Sequence, residues 1–184
     1  MKKISSNLEK GVFEILRKLE EQLGDHHIRV FVAGGVAVSY HTGERSTRDV
    51  DLFFSHRILP DWKRLVVKME DNQILYADPN YTPNFGLLHP EFDPQALLWD
   101  GFKSKKIDLK VLSPLDLAVS KLSRLSDIDR TDIKALSEFF SYSDFFQRAT
   151  EAMQYYVGDL WWIKADLEDL KEFLKSEEED GSSL

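Results

Sequence analysis

At 184 residues the chain is long enough to bury the core of one compact domain with a helical extension. Its 42% hydrophobic and 30% charged residues are typical of a globular protein, and no apolar run approaches the about 20 residues of a membrane helix. The net charge of −8 argues against a broad nucleic-acid (DNA) surface, and the absence of cysteine excludes disulfides and thiolate metal sites. We therefore expect a cytoplasmic protein without a membrane segment.

The first predicted element is an amphipathic helix. Apolar residues recur at helical spacing between residues 7 and 23, and Gly24 is a plausible stop. Asp25, His26 and His27 come next. Since adjacent side chains point to different sides, we interpret these residues as a turn and not as a metal site.

A strand, a glycine pair and a second helix follow. Residues 30–33 form a short apolar, β-branched run, which is typical of a buried strand. Gly34 and Gly35 come directly after it, and the helix-like run VAVSYH follows them. Glycine lets a ligand approach the backbone, and a helix N-terminus offers N–H groups to an anion.

The next strand pattern, residues 49–54, carries two aspartates. Residues two apart on a strand point to the same face, so Asp49 and Asp51 are predicted neighbours. Two carboxylates repel each other unless a positive group lies between them, and their oxygens suit a hard dication such as Mg²⁺. In the preceding loop, Arg45 and Arg48 either form local salt bridges or contact phosphate oxygens.

This combination resembles the nucleotidyltransferase superfamily with the DNA polymerase β-type fold. The resemblance is carried by a glycine pair followed by the pattern R-x-T-x-D-x-D-L, here Gly34, Gly35, Arg45, Thr47, Asp49 and Asp51. The form is most similar to the bacterial AbiEii-like and minimal-nucleotidyltransferase group, which includes toxin–antitoxin components. It implies an α/β (α+β) fold, with a mixed β-sheet flanked by helices and a C-terminal helical extension.

The middle of the chain predicts several short elements. Residues 59–69 indicate a crossover helix, and residues 74–76 a short strand. Prolines recur between residues 78 and 93, which favours a turn-rich excursion with a short strand around residues 85–89. Residues 96–99 are predicted to begin another strand.

Residues 106–112 alternate as a strand, with Asp108 on its polar face. In the polymerase β-type fold a third carboxylate, on a strand beside the first pair, acts as metal ligand and general base. By this resemblance Asp108 is the matching position. The alternative is an exposed polar residue on an edge strand.

A second motif follows. Ser113 and Pro114 predict a helix start, and the stretch that follows resembles the family pattern P-x-D-L-x-x-x-K-L-x-R, then D-R-x-D-I. By this resemblance Lys121 holds triphosphate oxygens, which suits a mobile ammonium group, and three residues brace the site or Lys121: Asp129, Arg130 and Asp132. The alternatives are a surface lysine and aspartates that cap or form salt bridges.

Two further helices are predicted over residues 142–156 and 159–175, with Gly158 between them. Trp161 and Trp162 are expected in the core. Residues 176–184 are acidic and polar and are expected to be disordered. We therefore divide the chain into a nucleotidyltransferase core, residues 1–112, and a helical part packed on it, residues 113–175.

The predicted function is metal-dependent transfer of NMP from an NTP, such as ATP, to an RNA (tRNA) or protein hydroxyl, and a cognate toxin or antitoxin is a possible protein partner. The predicted catalytic residues are Asp49, Asp51, Asp108 and Lys121, and the three aspartates hold Mg²⁺ or Mn²⁺. Nucleotide binding is assigned to Gly34, Gly35, Arg45, Thr47 and Lys121, with support from Arg48, Asp129, Arg130 and Asp132. The alternative is an inactive nucleotide-binding or antitoxin-like module, against which the intact motif set weighs.

Overall fold

Two mixed β-sheets flanked by helices form the fold, which confirms the predicted fold class. The computed structural model describes residues 4–43, 45–79 and 86–181, with side chains described as far as residue 172. The strands are β1 Ile28–Val32, β2 Asp49–Val50, β3 Leu52–Phe54, β4 Val66–Lys68, β5 Ile74–Ala77, β6 Leu97–Leu98 and β7 Ile107–Val111. The helices are α1 Ser6–Glu20, α2 Gly34–Thr42, α3 Phe92–Gln95, α4 Pro114–Ser120, α5 Asp127–Leu136, α6 Tyr142–Met153 and α7 Leu160–Gly181.

Strand β1 lies at the centre of the larger sheet, whose order is β3-β1-β7-β6. It pairs in parallel with β7 and antiparallel with β3. Val30, Phe31 and Val32 are buried on both faces, as expected for a strand that carries an almost continuous apolar run. Because α2 begins two residues after β1 ends, the start of this helix is fixed to the edge of the central sheet.

The strand predicted over residues 49–54 is divided between the two sheets. Strand β2 pairs in parallel with β5 in the smaller sheet, whereas β3 pairs with β1 in the larger one. Asp51 lies between them, and its carbonyl oxygen accepts a 2.9 Å hydrogen bond from the Ala33 N–H. The change of sheet therefore places Asp51 beside the turn from β1 to α2.

The crossover helix predicted over residues 59–69 is wrong. This segment forms a 3₁₀ turn, Trp62–Arg64, and then β4, which makes an antiparallel hairpin with β5. Burial alternates along β4, because Val67 is buried while its two neighbours face outward, and this is the period of a strand. Asn72 closes the hairpin turn with φ +64°, a conformation that asparagine tolerates.

The helices flanking the sheets follow their predicted start signals. Helix α1 is capped by Ser5, whose Oγ accepts from the Leu8 N–H, and its apolar stripe is buried as predicted. Ser113 caps α4, and Ser126 forms a capping box with Asp129 at the start of α5. In the turn-rich segment, residues 80–85 lie outside the described residues, and residues 86–89 are not a strand.

Helices α6 and α7 pack on the core with the predicted apolar positions, and the buried apolar residues form one cluster from Ile4 to Leu170. The core assignment of the tryptophans is wrong, since Trp161 is 63% exposed and Trp162 is 65% exposed. The next residue, Ile163, occupies the buried side instead. Residues 176–184 are expected to be disordered. Helix α7 continues to Gly181, in line with the helix propensity of the glutamates in this stretch, and residues 182–184 lie outside the described residues.

Leu167→Ala is expected to lower the free energy of unfolding by about 2–5 kcal/mol, because it removes a buried side chain and leaves a cavity. Trp161→Ala is the matched control on the same helix and should change the stability by less than about 0.5 kcal/mol. Urea denaturation of both variants measures the difference. A loss for Trp161→Ala as large as that for Leu167→Ala would contradict the observed orientation of α7.

Candidate active site

A cleft of about 330 Å³ opens at the carboxyl end of β1, between the two sheets and helices α4 and α5. The structure brings eight of the predicted site residues to its wall: Gly34, Gly35, Arg45, Thr47, Asp49, Asp51, Lys121 and Asp129. Five further residues, which the sequence did not predict in the site, also line the cleft: Asp78, Gly86, Ser120, Ser123 and Arg124. The two sequence motifs therefore meet in one site.

The glycine pair allows the carboxylates to lie against the backbone. Gly34 has φ +56°, and a Cβ atom there would lie 1.5 Å from Asp51 Oδ2. A Cβ at Gly35 would lie 2.8 Å from Thr47 Oγ1. Ala33, which precedes α2, makes no side-chain cap. The first-turn N–H groups are thus left to a ligand, as at other helix N-termini that bind anions.

Thr47 orients the first aspartate of the pair. Its Oγ1 donates a short hydrogen bond to Asp49 Oδ1. Since the same hydroxyl also packs close to Gly35, the threonine links the loop before β2 to the start of α2. This contact gives Thr47 a defined role in positioning Asp49.

Negative charge accumulates at Asp51. Burial, together with the charges of Asp49 and Asp78, raises the pKa of the Asp51 carboxyl to about 6, although Lys121 and Arg124 act in the opposite direction. The repulsion of Asp51 by the neighbouring carboxylates is therefore stronger than its attraction to the nearby cations. Such an excess of charge on oxygen ligands favours binding of a cation.

Asp78 is a further carboxylate of the cleft, in addition to Asp49, Asp51 and Asp129. It follows β5 directly, and its N–H donates a 3.1 Å hydrogen bond to the Val50 carbonyl of the parallel strand β2. Because β2 and β5 run in the same direction, Asp78 lies beside the end of β2 and close to Asp51. The signal in the sequence was an acidic residue immediately after a short strand, which we assigned to a loop.

Lys121 is buried and is held by two carboxylates. Its Nζ donates to Asp132 Oδ2 at 2.7 Å and to Asp129 Oδ1 at 3.4 Å. Arg45 Nε lies 3.5 Å from the other oxygen of Asp132. Asp132 therefore connects the loop before β2 with the lysine of the second motif.

Arg124 is the second cation on this wall. Its guanidinium forms two 2.8 Å hydrogen bonds with the buried carboxylate of Asp129. Burial alone would raise the pKa of Asp129, but the hydrogen bonds from Arg124 and Ser126 and the charge of Lys121 outweigh it and hold that pKa well below its usual range. Asp129 thus fixes both Lys121 and Arg124. The K-L-x-R spacing was the signal for Arg124.

Asp108 does not belong to the cleft, and the assignment of this residue as metal ligand and base is corrected. Strand β7 runs parallel to β1, and Asp108 pairs with Arg29 near the start of β1. The cleft lies at the opposite end of these strands. The Asp108 side chain is 53% exposed, with one carboxylate oxygen 3.5 Å from His27 Nε2.

Two predicted supporting residues also lie elsewhere. Arg48 is exposed, and its carbonyl oxygen accepts from the Tyr76 N–H, so that its backbone and not its guanidinium serves the smaller sheet. Arg130 lies near α7, where burial raises the pKa of Asp166 and the charge of Arg130 partly opposes this rise. Neither arginine lines the cleft.

The carboxylate oxygens of Asp49 and Asp51 suit a dication that also coordinates a bound small molecule. The predicted triad of Asp49, Asp51 and Asp108 does not form, and within the described part of the chain no three acidic or histidine side chains are arranged to hold a metal alone. Mg²⁺ commonly takes one or two protein carboxylates and completes its shell with phosphate oxygens and water. Asp49 and Asp51 fit that requirement.

Comparison with known protein families shows which family the chain belongs to. Residues 10–159 match the family described as nucleotidyltransferase of unknown function, DUF6036. The match covers most of the chain and both motifs, so the chain belongs to this nucleotidyltransferase family. No curated protein matches the chain. In the described residues no helix is both long and apolar enough to span a bilayer.

Gly34→Ala is expected to destabilise the fold more than Gly24→Ala, although both glycines have φ +56°. The backbone strain should cost about 1–2 kcal/mol at each position. Only at residue 34 does the new methyl group overlap the Asp51 carboxylate, which should add about 1–3 kcal/mol. Urea denaturation of the two variants measures this, and equal losses would show that the close contact is unimportant.

Asp51→Asn is expected to remove a pH dependence of stability. The carboxyl has a pKa of about 6 in the folded chain and about 3.9 in the unfolded chain. Between these values the folded state binds more protons, so the free energy of unfolding falls as the pH rises from about 4 to about 6. Denaturation at several pH values should show a flatter profile for Asp51→Asn. Asp108→Asn should retain the wild-type pH profile. If Asp51→Asn also retained it, the raised pKa of Asp51 would be contradicted.

Proposed function

We propose that this protein transfers a nucleoside monophosphate from an NTP to a hydroxyl group, with Mg²⁺ or Mn²⁺ as cofactor. The observation that carries the proposal is the meeting of two kinds of group in one cleft. The glycine turn and Lys121, which we assign to phosphate binding, line the same cleft as the carboxylates of Asp49, Asp51 and Asp78. Membership of a nucleotidyltransferase family supports the same reaction class.

The triphosphate is assigned to the wall formed by α2 and the second motif. The first-turn N–H groups of α2, at Gly34 and Gly35, would donate to phosphate oxygens. Lys121 and Arg124 would add positive charge, and Arg124 is the more accessible of the two. Since Asp129 and Asp132 hold these cations in place before the nucleotide arrives, little rearrangement is needed for binding.

The transfer step is a displacement at the α-phosphorus. The oxygen of the acceptor hydroxyl forms a bond to phosphorus, the bond to the β-phosphate bridging oxygen breaks, and pyrophosphate leaves. We assign the hydroxyl proton to Asp78, which occupies the cleft where Asp108 had been expected. Asp49 and Asp51 would hold the metal, which supplies charge neutralisation at the phosphate oxygens and the attacking oxygen.

The nature of the acceptor follows from the finer resemblance. The AbiEii-like and minimal-nucleotidyltransferase group includes bacterial toxin–antitoxin components, and by that analogy the acceptor is a tRNA or a protein hydroxyl. The net charge of −8 disfavours a long nucleic-acid interface, so an RNA acceptor would be bound at one end.

Asp78→Asn should lower transfer of label from an α-labelled NTP by about 100-fold or more, as expected for loss of a general base. Asp49→Asn should abolish metal-dependent binding of the NTP. Asp108→Asn is the matched control and should leave both measurements unchanged. RNA and protein fractions are offered separately, so that the labelled fraction identifies the acceptor class.

Two results would contradict the proposal. Loss of transfer in Asp108→Asn, with full activity in Asp78→Asn, would show that the general base is Asp108 on β7 and not Asp78. Metal-dependent binding of NTP without transfer to either fraction would instead favour the inactive nucleotide-binding module. Calorimetry and the label assay together separate these outcomes.

A further inference from the structure

A second pocket adjoins the cleft. Its volume is about 280 Å³, and Gly86 lines both the cleft and this pocket. We call it the aromatic pocket, since its walls include His89, Phe92, Tyr155 and Tyr156. It lies between the segment before α3 and the connection from α6 to α7. Nothing in the phosphate-binding assignment uses these residues.

The rings form a corner that can hold a flat ligand. The ring centroids of His89 and Tyr155 are 5.8 Å apart, and the ring planes are inclined at 77°. Tyr155 is 60% exposed, so its ring remains accessible. The Tyr156 ring packs against Gly158, where a Cβ atom would approach it to 2.4 Å. The absence of a side chain at residue 158 therefore permits this position of the Tyr156 ring.

His89 supplies a polar group at this corner. Its Nδ1 accepts a 3.1 Å hydrogen bond from the Glu91 N–H, so in the neutral ring Nε2 carries the proton. Nε2 lies 3.8 Å from Glu151 Oε2, which is too far for a hydrogen bond. The Nε2–H donor of His89 and the carboxylate acceptor of Glu151 therefore lie side by side. The edges of nucleobases present adjacent acceptors and donors of the same kind.

The charge around the aromatic pocket argues against a phosphate there. Among the described residues that line it, none is a lysine or an arginine. The acidic group beside it, Glu151, would repel a phosphodiester. An uncharged aromatic ring fits this environment, because stacking on aromatic side chains does not need charge.

We propose that the aromatic pocket binds the base of the incoming NTP, whose phosphates occupy the adjoining cleft. This inference rests on the proposed function, since it requires a triphosphate in the cleft. A base and its triphosphate are joined by a single ribose, so they must occupy neighbouring pockets. The wall shared at Gly86 provides that connection. Tyr155 then stacks on the base, and His89 with Glu151 contacts its edge.

The experiment compares the affinity of each of the four NTPs with that of inorganic tripolyphosphate, by calorimetry in the presence of Mg²⁺. The variants are Tyr155→Ala, which removes the ring, and Tyr155→Phe, which keeps it. Trp161→Ala is the control for loss of an exposed aromatic residue outside the pocket. Because both positions are exposed, the melting temperatures should match that of the wild type.

The wild type should bind at least one NTP about tenfold more tightly than tripolyphosphate. Tyr155→Ala should lose most of this difference while its affinity for tripolyphosphate stays unchanged. Tyr155→Phe and Trp161→Ala should keep the difference. The same NTP affinity in Tyr155→Ala as in the wild type would overturn the inference. If transfer were nevertheless slower, the result would indicate that the pocket binds the acceptor and not the base.

Failure of the proposed function looks different. If the wild type bound neither NTP nor tripolyphosphate, the phosphate site itself would be refuted, and the base site with it. If the wild type bound tripolyphosphate as tightly as every NTP, the phosphate site would stand and only the base site would be refuted.

Discussion

The close contact between Gly34 and Asp51 is the constraint on which the rest of the site depends. The first residue of α2 has no room for a side chain, because the Asp51 carboxylate lies where its Cβ would be. The same approach is fixed on the backbone by the hydrogen bond from Ala33 to the Asp51 carbonyl. As a result, the N–H groups at the start of α2, which attract anions, and a carboxylate, which repels them, lie side by side.

The cations of the cleft are already paired with buried carboxylates, so they do not neutralise the charge of Asp49 and Asp51. Lys121 and Arg124 are already bound to the buried carboxylates of Asp129 and Asp132. They therefore lower the pKa of Asp51 less than burial and the neighbouring aspartates raise it. Asp49, Asp51 and Asp78 therefore keep an excess of negative charge, which a metal–nucleotide complex can relieve.

Local patterns in the sequence predicted the parts of the site that depend on neighbouring residues. The glycine pair, the Asp49–Asp51 spacing and Lys121 were recognisable because each belongs to a short motif. The third carboxylate was not, because alternation along β7 shows which face Asp108 occupies but not which end of the sheet it lies near. The parallel register with β1 decides that. Likewise, apolar spacing in residues 59–69 suited a helix, whereas pairing with β5 produced a hairpin.

The change of sheet at Asp51 has a mechanical consequence. Asp49 belongs to the strand that pairs with β5, while the strand that follows Asp51 is fixed to β1. The separation of the two carboxylates therefore depends on how the smaller sheet sits against the larger one. Packing between α1 and the β4–β5 hairpin supports that relative position. The rigidity of this support sets how well the carboxylates of Asp49 and Asp51 are held at a fixed spacing.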